Sequence, residues 1–195
     1  MISSKLIKNA LYLNKFDEKF SSVLKQHNIE MHSSMFQTHS DIVKMVNTNG
    51  EFESDSLITG QKKLALVVKT ADCMPILLDD DKFVGAVHSG WRGIENGIFE
   101  KALKNFDHNN LKVSIGPHAQ SCCYEVQSDL YKKLGEFVKV KESKYYLQLS
   151  KKIKDLSKKY SFKLEVSKIC TICDKDYFSY RENGTSERQF SLIWR

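Results

Sequence analysis

The sequence has little of what disordered, secreted or membrane proteins require. It contains two prolines in 195 residues and no low-complexity tract, and its 41% apolar and 28% charged residues are ordinary for a globular protein. Residues 1–15 alternate apolar and polar positions, and neither they nor any later segment form an apolar run typical of a signal peptide or membrane span. We therefore expect one folded domain over residues 1–195, located in the cytoplasm.

Cysteine is also scarce, with five residues in the chain. An odd number of cysteines without a secretory signal argues against a disulfide framework and predicts free thiols. Cys122 and Cys123 are adjacent and poorly placed to bridge each other. Cys170 and Cys173 form a Cys-x-x-Cys pair, but no second such pair exists to complete a four-thiolate zinc site, so we expect a structural role.

Positive charge is in modest excess, with a formal net charge of +6. Lysines are densest within a predicted helix at residues 151–160, without the interleaved aromatic platform that binds nucleic acid. We therefore predict a solvated helix face and no nucleic-acid partner. The charge still favours small anionic substrates.

Strand and helix patterns are interspersed along the chain. Apolar runs bounded by turn residues predict neighbouring buried strands at 64–68, 75–78 and 83–87. Further strands are predicted at 6–13, 41–46, 111–115, 162–169 and 190–194, and helices at 15–26, 94–106, 127–138 and 151–160. This order predicts an α+β fold, a single domain with a mixed β-sheet core flanked by helices.

A thiol and an imidazole lie at the ends of two neighbouring apolar runs. Cys73 precedes the run at 75–78, and His88 follows the run at 83–87. On rigid strands such a pair indicates either a metal site or a cysteine nucleophile with its base. The alternative for Cys73 is that it is a buried core residue that packs as a small apolar side chain. A catalytic zinc site needs a third ligand, and His39, at another predicted strand boundary, is the best candidate unless it is an ordinary polar residue.

Two charged residues flank this pair. Arg92 lies between Trp91 and Gly93 before a predicted helix, where its guanidinium is suited to hold a phosphate or carboxylate; a surface ion pair is the alternative. Asp72 precedes Cys73 and either orients a ligand, carries a proton or caps the turn.

The loop after the predicted strand at 111–115 is dense in polar and thiol groups. His118, Cys122 and Cys123 suggest a second metal site, but a loop that caps the helix at 127–138 explains the spacing as well, and we favour the latter.

Four motifs occur in the order of a known family. They are Thr-Ala-Asp-Cys-Met-Pro-Ile-Leu-Leu at 70–78, His-Ser-Gly-Trp-Arg-Gly at 88–93, Ile-Gly-Pro at 115–117 and Cys-Cys-Tyr-Glu-Val at 122–126. Phe-Ser-Tyr-Arg at 178–181 and Leu-Ile-Trp at 192–194 complete the pattern. Together they resemble the YfiH-like family, which has carried the names polyphenol oxidase, laccase domain protein, purine nucleoside phosphorylase and peptidoglycan editing factor.

The resemblance implies the YfiH-like fold and a zinc ion held by His39 in a Gln-x-His motif, Cys73 and His88. It also implies phosphorolysis of adenosine, inosine, guanosine and methylthioadenosine, deamination of adenosine, and a family role in hydrolytic editing of cell-wall precursors. The expected partners are thus a purine nucleoside and phosphate, with no nucleic acid and no membrane. The oligomeric state is left open.

Roles follow for individual residues on this basis. We assign catalytic roles to Cys73, His88, Arg92 and Asp72. We assign substrate contacts to Gln37, Arg92, Cys122 and Arg188. The chain departs from the family pattern in three places: Ser40 replaces a glycine, the upstream Asn-Arg segment is not recognisable, and Thr185-Ser186-Glu187-Arg188 stands where the family often has Thr-Gly-Arg.

The histidine content of the chain does not fit a copper cluster. Multicopper centres use many imidazoles, typically in His-x-His pairs, whereas this chain has six histidines and no such pair. Zinc is therefore the expected metal. Two alternatives stay open: a hydrolase that uses Cys73 as a thiolate nucleophile activated by His88, and a zinc-stabilised binding module closed by Cys122 or His118.

Overall fold

A computed structural model describes residues 1–17 and 19–195. Numbered in chain order, the strands are β1 (Ile2–Ser3), β2 (Ala10–Tyr12), β3 (Met31–Phe36), β4 (Val43–Met45), β5 (Gly50–Glu53), β6 (Ser56–Thr59), β7 (Leu64–Thr70), β8 (Met74–Asp79), β9 (Val84–Ser89), β10 (Lys112–Ile115), β11 (Glu125–Val126), β12 (Val138–Lys141), β13 (Lys144–Leu147), β14 (Lys163–Val166) and β15 (Gln189–Ile193). The helices are α1 (Phe20–Gln26), α2 (Trp91–Asn96), α3 (Ile98–Leu103), α4 (Ser128–Leu134), α5 (Lys151–Tyr160) and α6 (Tyr180–Asn183), with a 3-10 helix at Gly135–Phe137.

Two mixed sheets contain most of these strands. In the first sheet the order is β1-β2-β15-β7-β3-β5, with β15 antiparallel to β2 and β7, and β3 parallel to β7 and β5. In the second sheet the order is β14-β10-β8-β9-β6-β4, with β8 antiparallel to β9 and β10. A small antiparallel sheet, β11-β13-β12, lies apart from them.

The two large sheets pack face to face, and helices cover their outer faces. Met35 and Leu66 of the first sheet share one core with Leu77 and Ala86 of the second, and all four are fully buried. Ile76 and its neighbours on the opposite face of the second sheet pack with residues of α3, α4 and α5, while α1 covers the first sheet. Because both faces of the central strands are covered, their sequences stay apolar instead of alternating.

The predicted α+β fold with a mixed-sheet core and flanking helices is confirmed, with a difference in layering. We predicted one sheet, whereas two sheets are stacked. The sequence analysis did not identify seven strands. Of these, β1, β3 and β5 belong to the first sheet, β6 belongs to the second, and β11, β12 and β13 form the small sheet. These strands lack the continuous apolar runs that identified the central ones.

Helix boundaries differ from the predicted ones where the chain turns. The helix predicted at 94–106 is divided into α2 and α3 at Gly97, whose φ of 74° is left-handed. The helix predicted at 127–138 ends at Leu134, and the one predicted at 15–26 starts at Phe20, with Glu18 outside the described residues. The prediction at 151–160 is confirmed as α5. No helix in the described part of the chain has the length and apolarity needed to cross a membrane.

Candidate metal centre and active site

Strand pairing brings three reactive side chains to one edge of the stacked sheets. Cys73 lies in the turn between β7 and β8, and His88 lies in β9, which pairs with β8. The antiparallel register sets Pro75 opposite His88, so the imidazole lies beside the turn that contains Cys73. His39 follows the end of β3.

The ligand atoms of His39, Cys73 and His88 all lie within 4.8 Å of one another. His39 Nε2 is 3.8 Å from Cys73 Sγ, and the two imidazole ring centroids are 4.8 Å apart. His88 is only 5% exposed, whereas the other two are partly accessible. The structure thus brings together the three residues that the sequence indicated as ligands.

Asp55, which the sequence analysis did not identify, accepts hydrogen bonds from both histidines. Its fully buried carboxylate accepts a hydrogen bond from His88 Nδ1 at 2.7 Å and from the backbone N–H of His39 at 3.2 Å. Its other oxygen accepts from the N–H and the hydroxyl of Ser40 at 2.6 and 2.7 Å. Because Nδ1 of His88 is held by this carboxylate, Nε2 is left to face the site. Asp55 directly precedes β6, and no local sequence pattern indicated this role.

Electrostatics favour the charged forms of Cys73 and His88. Burial raises the pKa of the Cys73 thiol, but His88 and His39 outweigh this effect and lower the pKa to about 6. Burial lowers the pKa of His88, but Cys73 and Asp55 raise it to about 9. Burial also raises the pKa of Asp55, yet hydrogen bonds from His88 and Ser40 hold it below its usual value. Cys73 is therefore a thiolate at neutral pH, the form that binds metal or attacks as a nucleophile.

This pairing predicts the pH dependence of thiol alkylation. In metal-free protein, the alkylation rate of Cys73 should reach half its maximum near pH 6, because the thiolate persists as pH falls toward a pKa of about 6. In His88→Ala the midpoint should rise, because the positive partner is lost. Mass spectrometry of iodoacetamide-treated protein measures both profiles.

Cys122 is the internal control for this measurement. Burial and the neighbouring Cys170 raise the pKa of its thiol, so its alkylation should require a higher pH. Coincident profiles for Cys73 and Cys122 would contradict the predicted thiolate.

The backbone around the site is unusual at three positions. His39 and Asp72 have left-handed φ values of 60° and 88°, and strain of this kind concentrates at functional sites. A Cβ added to Gly90 would lie 2.7 Å from Cys73 Sγ. Glycine before α2 is therefore required by the close approach of the backbone to the thiol.

A cavity of about 490 Å³ opens beside the three ligands. Aromatic side chains in its lining include Trp91, Tyr124 and Tyr180. Its cationic side chains are Lys69, Arg92, Arg181 and Arg188, of which Lys69 is paired with Glu51 at 3.0 Å. The volume lies within the roughly 300–1,000 Å³ that small-molecule sites span. The lining suits a flat ring system joined to an anion.

Four of the other predicted site residues also line this cavity. The guanidinium of Arg92 stacks 4.3 Å from the ring centroid of Trp91, and Arg188 donates to its local backbone. The side-chain amide of Gln37 is bonded to the backbone of Lys69, which fixes the segment that leads to His39. Asp72 has its own partners and is described next.

Asp72 contacts three other segments of the chain at the edge of the cavity. Its carboxylate accepts a hydrogen bond from Thr171 Oγ1 at 2.8 Å and from the backbone N–H of Arg181 at 2.7 Å. Its own carbonyl accepts from the N–H of Ala119 at 2.9 Å. These contacts are those of a residue that positions the cavity wall.

The loop residues predicted near the site lie elsewhere. His118 is buried, has Nδ1 2.8 Å from the Gly116 carbonyl, and is outside the ligand group of His39; burial lowers its pKa to about 4. Cys122 is absent from the cavity lining and lies near Cys173, with 3.5 Å between the sulfur atoms. Neither residue closes the three-ligand group.

Two of the five cysteines are not free. Cys123 and Cys173 are joined as a disulfide across 50 positions, so the predicted absence of disulfides is wrong for this pair. Cys122 and Cys123 do not bridge each other, as expected from their adjacency. Cys73, Cys122 and Cys170 are free thiols.

The donor set fits a catalytic zinc ion. Zinc takes thiolate and neutral imidazole ligands, and its catalytic sites keep a fourth position for water or substrate. Among the described residues, the group around Cys73 contains three such donors, and the cavity lies on its open side. Asp55 supplies the carboxylate that orients a ligating histidine in many zinc sites.

A family comparison matches nearly all of the chain. The family model described as multi-copper polyphenol oxidoreductase laccase matches residues 14–195. The chain belongs to this family. The resemblance to YfiH-like proteins drawn from the sequence motifs is therefore confirmed.

Curated relatives of this family member carry one recurrent name. A protein of Aquifex aeolicus named purine nucleoside phosphorylase is 32% identical over 163 residues, covering 80% of this chain and 79% of the relative. A protein of Clostridium acetobutylicum with the same enzyme name is 36% identical over 174 residues, covering 80% and 74%.

Solved structures of the family share the fold. The hypothetical protein YfiH of Bacillus licheniformis superposes with a TM-score of 0.80 at 25% identity, covering 89% of this chain and 78% of that one. YlmD of Geobacillus stearothermophilus superposes with a TM-score of 0.82 at 20% identity, covering 98% and 94%. The stacked sheets are thus the fold of the family.

Proposed function

We propose that this family member is a zinc-dependent enzyme that cleaves purine nucleosides with phosphate. The observation that carries the proposal is the open group of His39, Cys73 and His88 beside a cavity lined by aromatic and cationic side chains. The name purine nucleoside phosphorylase given to relatives supports the same activity. The proposed substrates are adenosine, inosine, guanosine and methylthioadenosine.

The cavity lining suggests how the two substrates bind. A purine stacks well on Trp91 or Tyr124, because both rings line the cavity. Arg92 and Arg188 provide planar donors for phosphate, and stacking of Arg92 on Trp91 limits its motion. We propose that Gln37 and Asp72 position the surrounding backbone rather than react, because their polar atoms already have protein partners.

Phosphorolysis exchanges one bond at the sugar. A phosphate oxygen bonds to C1′ while the bond from C1′ to the base nitrogen breaks, and the departing base takes up the proton that the hydrogen phosphate gives up. When bound, zinc supplies Lewis-acid polarisation and lowers the pKa of coordinated water, which also suits deamination of adenosine with release of ammonia. The arginines hold phosphate in line, and Asp55 keeps His39 and His88 oriented.

A second candidate function is hydrolysis by Cys73, including the editing of cell-wall precursors. The paired thiolate and imidazolium of Cys73 and His88 favour it, since this is the arrangement of a cysteine nucleophile and its base. A binding module without turnover is less well supported, because the three-ligand group is open toward a cavity. Stoichiometric zinc and phosphate dependence distinguish these functions.

The deciding experiment measures nucleoside turnover with and without phosphate. Wild-type protein with inosine and phosphate should release hypoxanthine and ribose 1-phosphate in equal amounts. Arg92→Gln should raise the KM for phosphate by about 10-fold or more, because a charged hydrogen bond contributes roughly 1.5–3 kcal/mol. Product chromatography and inosine formation from adenosine separate phosphorolysis from deamination.

Lys139→Gln is the matched control, since it removes an exposed charge on β12, outside the cavity. It should leave the KM for phosphate unchanged. Equal turnover without phosphate, or an unaltered KM in Arg92→Gln, would contradict the proposed phosphate site. Amide hydrolysis by a zinc-free protein would favour the Cys73 nucleophile instead.

Chain organisation and cellular location stay predictions. We propose that residues 1–195 form one domain and that it works in the cytoplasm, where thiol ligands such as Cys73 stay reduced.

A further inference from the structure

Four of the five cysteines meet in a second cluster, separate from the ligand group of Cys73. Cys122 and Cys123 come from the loop after β10, and Cys170 and Cys173 come from the loop after β14. All four sulfur atoms lie within 4.8 Å of one another. A Cys-x-x-Cys pair thus finds its complement in an adjacent pair, which the sequence analysis did not recognise.

Once the Cys123–Cys173 disulfide is reduced, the four sulfur atoms are close enough together for a tetrahedral metal site. Zinc–sulfur bonds of about 2.3 Å in a tetrahedron place sulfur atoms roughly 3.8 Å apart. The sulfur atoms of Cys122 and Cys173 are 3.5 Å apart. The backbone N–H of Gln120 donates to Cys170 Sγ at 3.3 Å, a contact that stabilises a thiolate and orients it as a ligand.

We propose that, in the reduced protein, Cys122, Cys123, Cys170 and Cys173 bind a zinc ion as a structural four-thiolate site. Four protein ligands leave no open position, so this site is closed, unlike the group of Cys73. Cys122 and Cys173 are exposed, so the ion can enter from solvent, while Cys170 is buried at 6% exposure.

The disulfide and the metal are alternative states of the same sulfur atoms. A dithiol reductant supplies two electrons and two protons to the Cys123–Cys173 bond and becomes a disulfide itself. The four thiols then bind Zn²⁺ and release four protons, which leaves a site of net charge −2. Reducing conditions therefore favour the metal, and oxidising conditions favour the disulfide.

The site lies where two loops already contact each other and the active-site wall. The backbone N–H of Thr171, the residue after Cys170, donates to the carbonyl of His118 at 3.2 Å. The Thr171 hydroxyl donates to Asp72, the neighbour of Cys73, at 2.8 Å. Tyr124, directly after Cys123, lines the cavity. A metal at this point would hold the loops together and thereby fix one wall of the cavity.

Cobalt binding to the reduced full-length chain tests the proposal. The measurement uses anaerobic protein treated with a dithiol and then freed of it, in a Cys73→Ser background that removes the only thiolate of the other site. Cobalt(II) in a four-thiolate tetrahedron gives intense visible bands and a sulfur-to-metal charge-transfer band. We expect both bands at one equivalent of cobalt, and their displacement by zinc.

Two ligand variants and one control distinguish the metal from a simple disulfide. Cys122→Ser removes an exposed ligand and should keep the fold, as far-ultraviolet circular dichroism will show. Cys170→Ser keeps both cysteines of the disulfide. Loss of a residue that only hydrogen-bonds to a metal ligand weakens metal binding by roughly 10- to 100-fold. Each of these substitutions removes a ligand itself and should therefore weaken zinc binding by at least this factor. Ser121→Ala, between Gln120 and Cys122, should not change it.

The result of this test does not depend on the proposed cleavage of nucleosides. Four-thiolate bands that vanish in Cys122→Ser and Cys170→Ser support the site whether or not the enzyme turns over nucleosides. If the reduced Cys73→Ser protein binds no cobalt, or if its bands and zinc affinity are unchanged in both variants, the four-thiolate site does not exist.

Discussion

Replacing His88 by alanine is expected to lower kcat/KM for inosine phosphorolysis by about 10³-fold or more and to remove stoichiometric zinc. His88 lies almost fully buried within the group of three ligand atoms, and Asp55 fixes its orientation. Its loss leaves two ligands and removes the imidazole hydrogen bond to the buried Asp55 carboxylate, which keeps only its contacts with His39 and Ser40. Steady-state kinetics and elemental analysis of the purified variant measure the two effects.

His32→Ala is the matched control for this variant. His32 is exposed on β3 and packs edge-on against Phe20, so its removal alters neither the ligand group nor the cavity lining. Both zinc content and turnover should stay near the wild-type values. Wild-type rates in His88→Ala would exclude the central role of this histidine, and normal zinc with lost turnover would exclude its role as a ligand.

Substituting Asp55 by asparagine should produce the second largest effect. The carboxylate accepts hydrogen bonds from His88 Nδ1, the His39 N–H and Ser40, and an amide has only one oxygen to accept them. The side-chain NH₂ group of the asparagine would then face at least one hydrogen-bond donor at a fully buried position, where neither donor finds an acceptor. We expect zinc affinity to fall about 10- to 100-fold and the free energy of unfolding to fall by about 1–3 kcal/mol.

Competition with a zinc chelator and urea denaturation of metal-free protein measure these two effects separately. Asp129→Asn, at an exposed position in the first turn of α4, is the control and should change stability by no more than about 0.5 kcal/mol. A change in stability with unaltered zinc affinity would mean that Asp55 is a structural residue and does not orient the ligands.

The central part of the fold and site could be predicted because its sequence is simple. Strands β7, β8 and β9 are buried on both faces, so their apolar runs stand out, and the residues at their ends are placed by pairing alone. Cys73 and His88 follow from this pattern. His39 could not be placed in this way, because β3 has two adjacent serines and a histidine where the central strands have a continuous apolar run.

The missing parts depend on contacts between distant segments. Asp55 lies between two short strands, and its importance emerges only when the stacked sheets bring it behind His88. The four-cysteine cluster joins loops 50 positions apart, and neither loop alone has the spacing of a metal site. Such juxtapositions are set by tertiary packing, to which local sequence patterns are insensitive.

The position of β15 affects how the protein can fold during its synthesis. β15 lies between β2 and β7, and Gln189 pairs with Thr70. At roughly 5–20 residues per second, a ribosome takes on the order of 10 s to translate the intervening segment. Until then the apolar edge of β7 lacks this partner in the nascent chain and is open to wrong pairing or to a chaperone. Arg188 immediately precedes β15, so the cationic wall of the cavity is completed in the same late step.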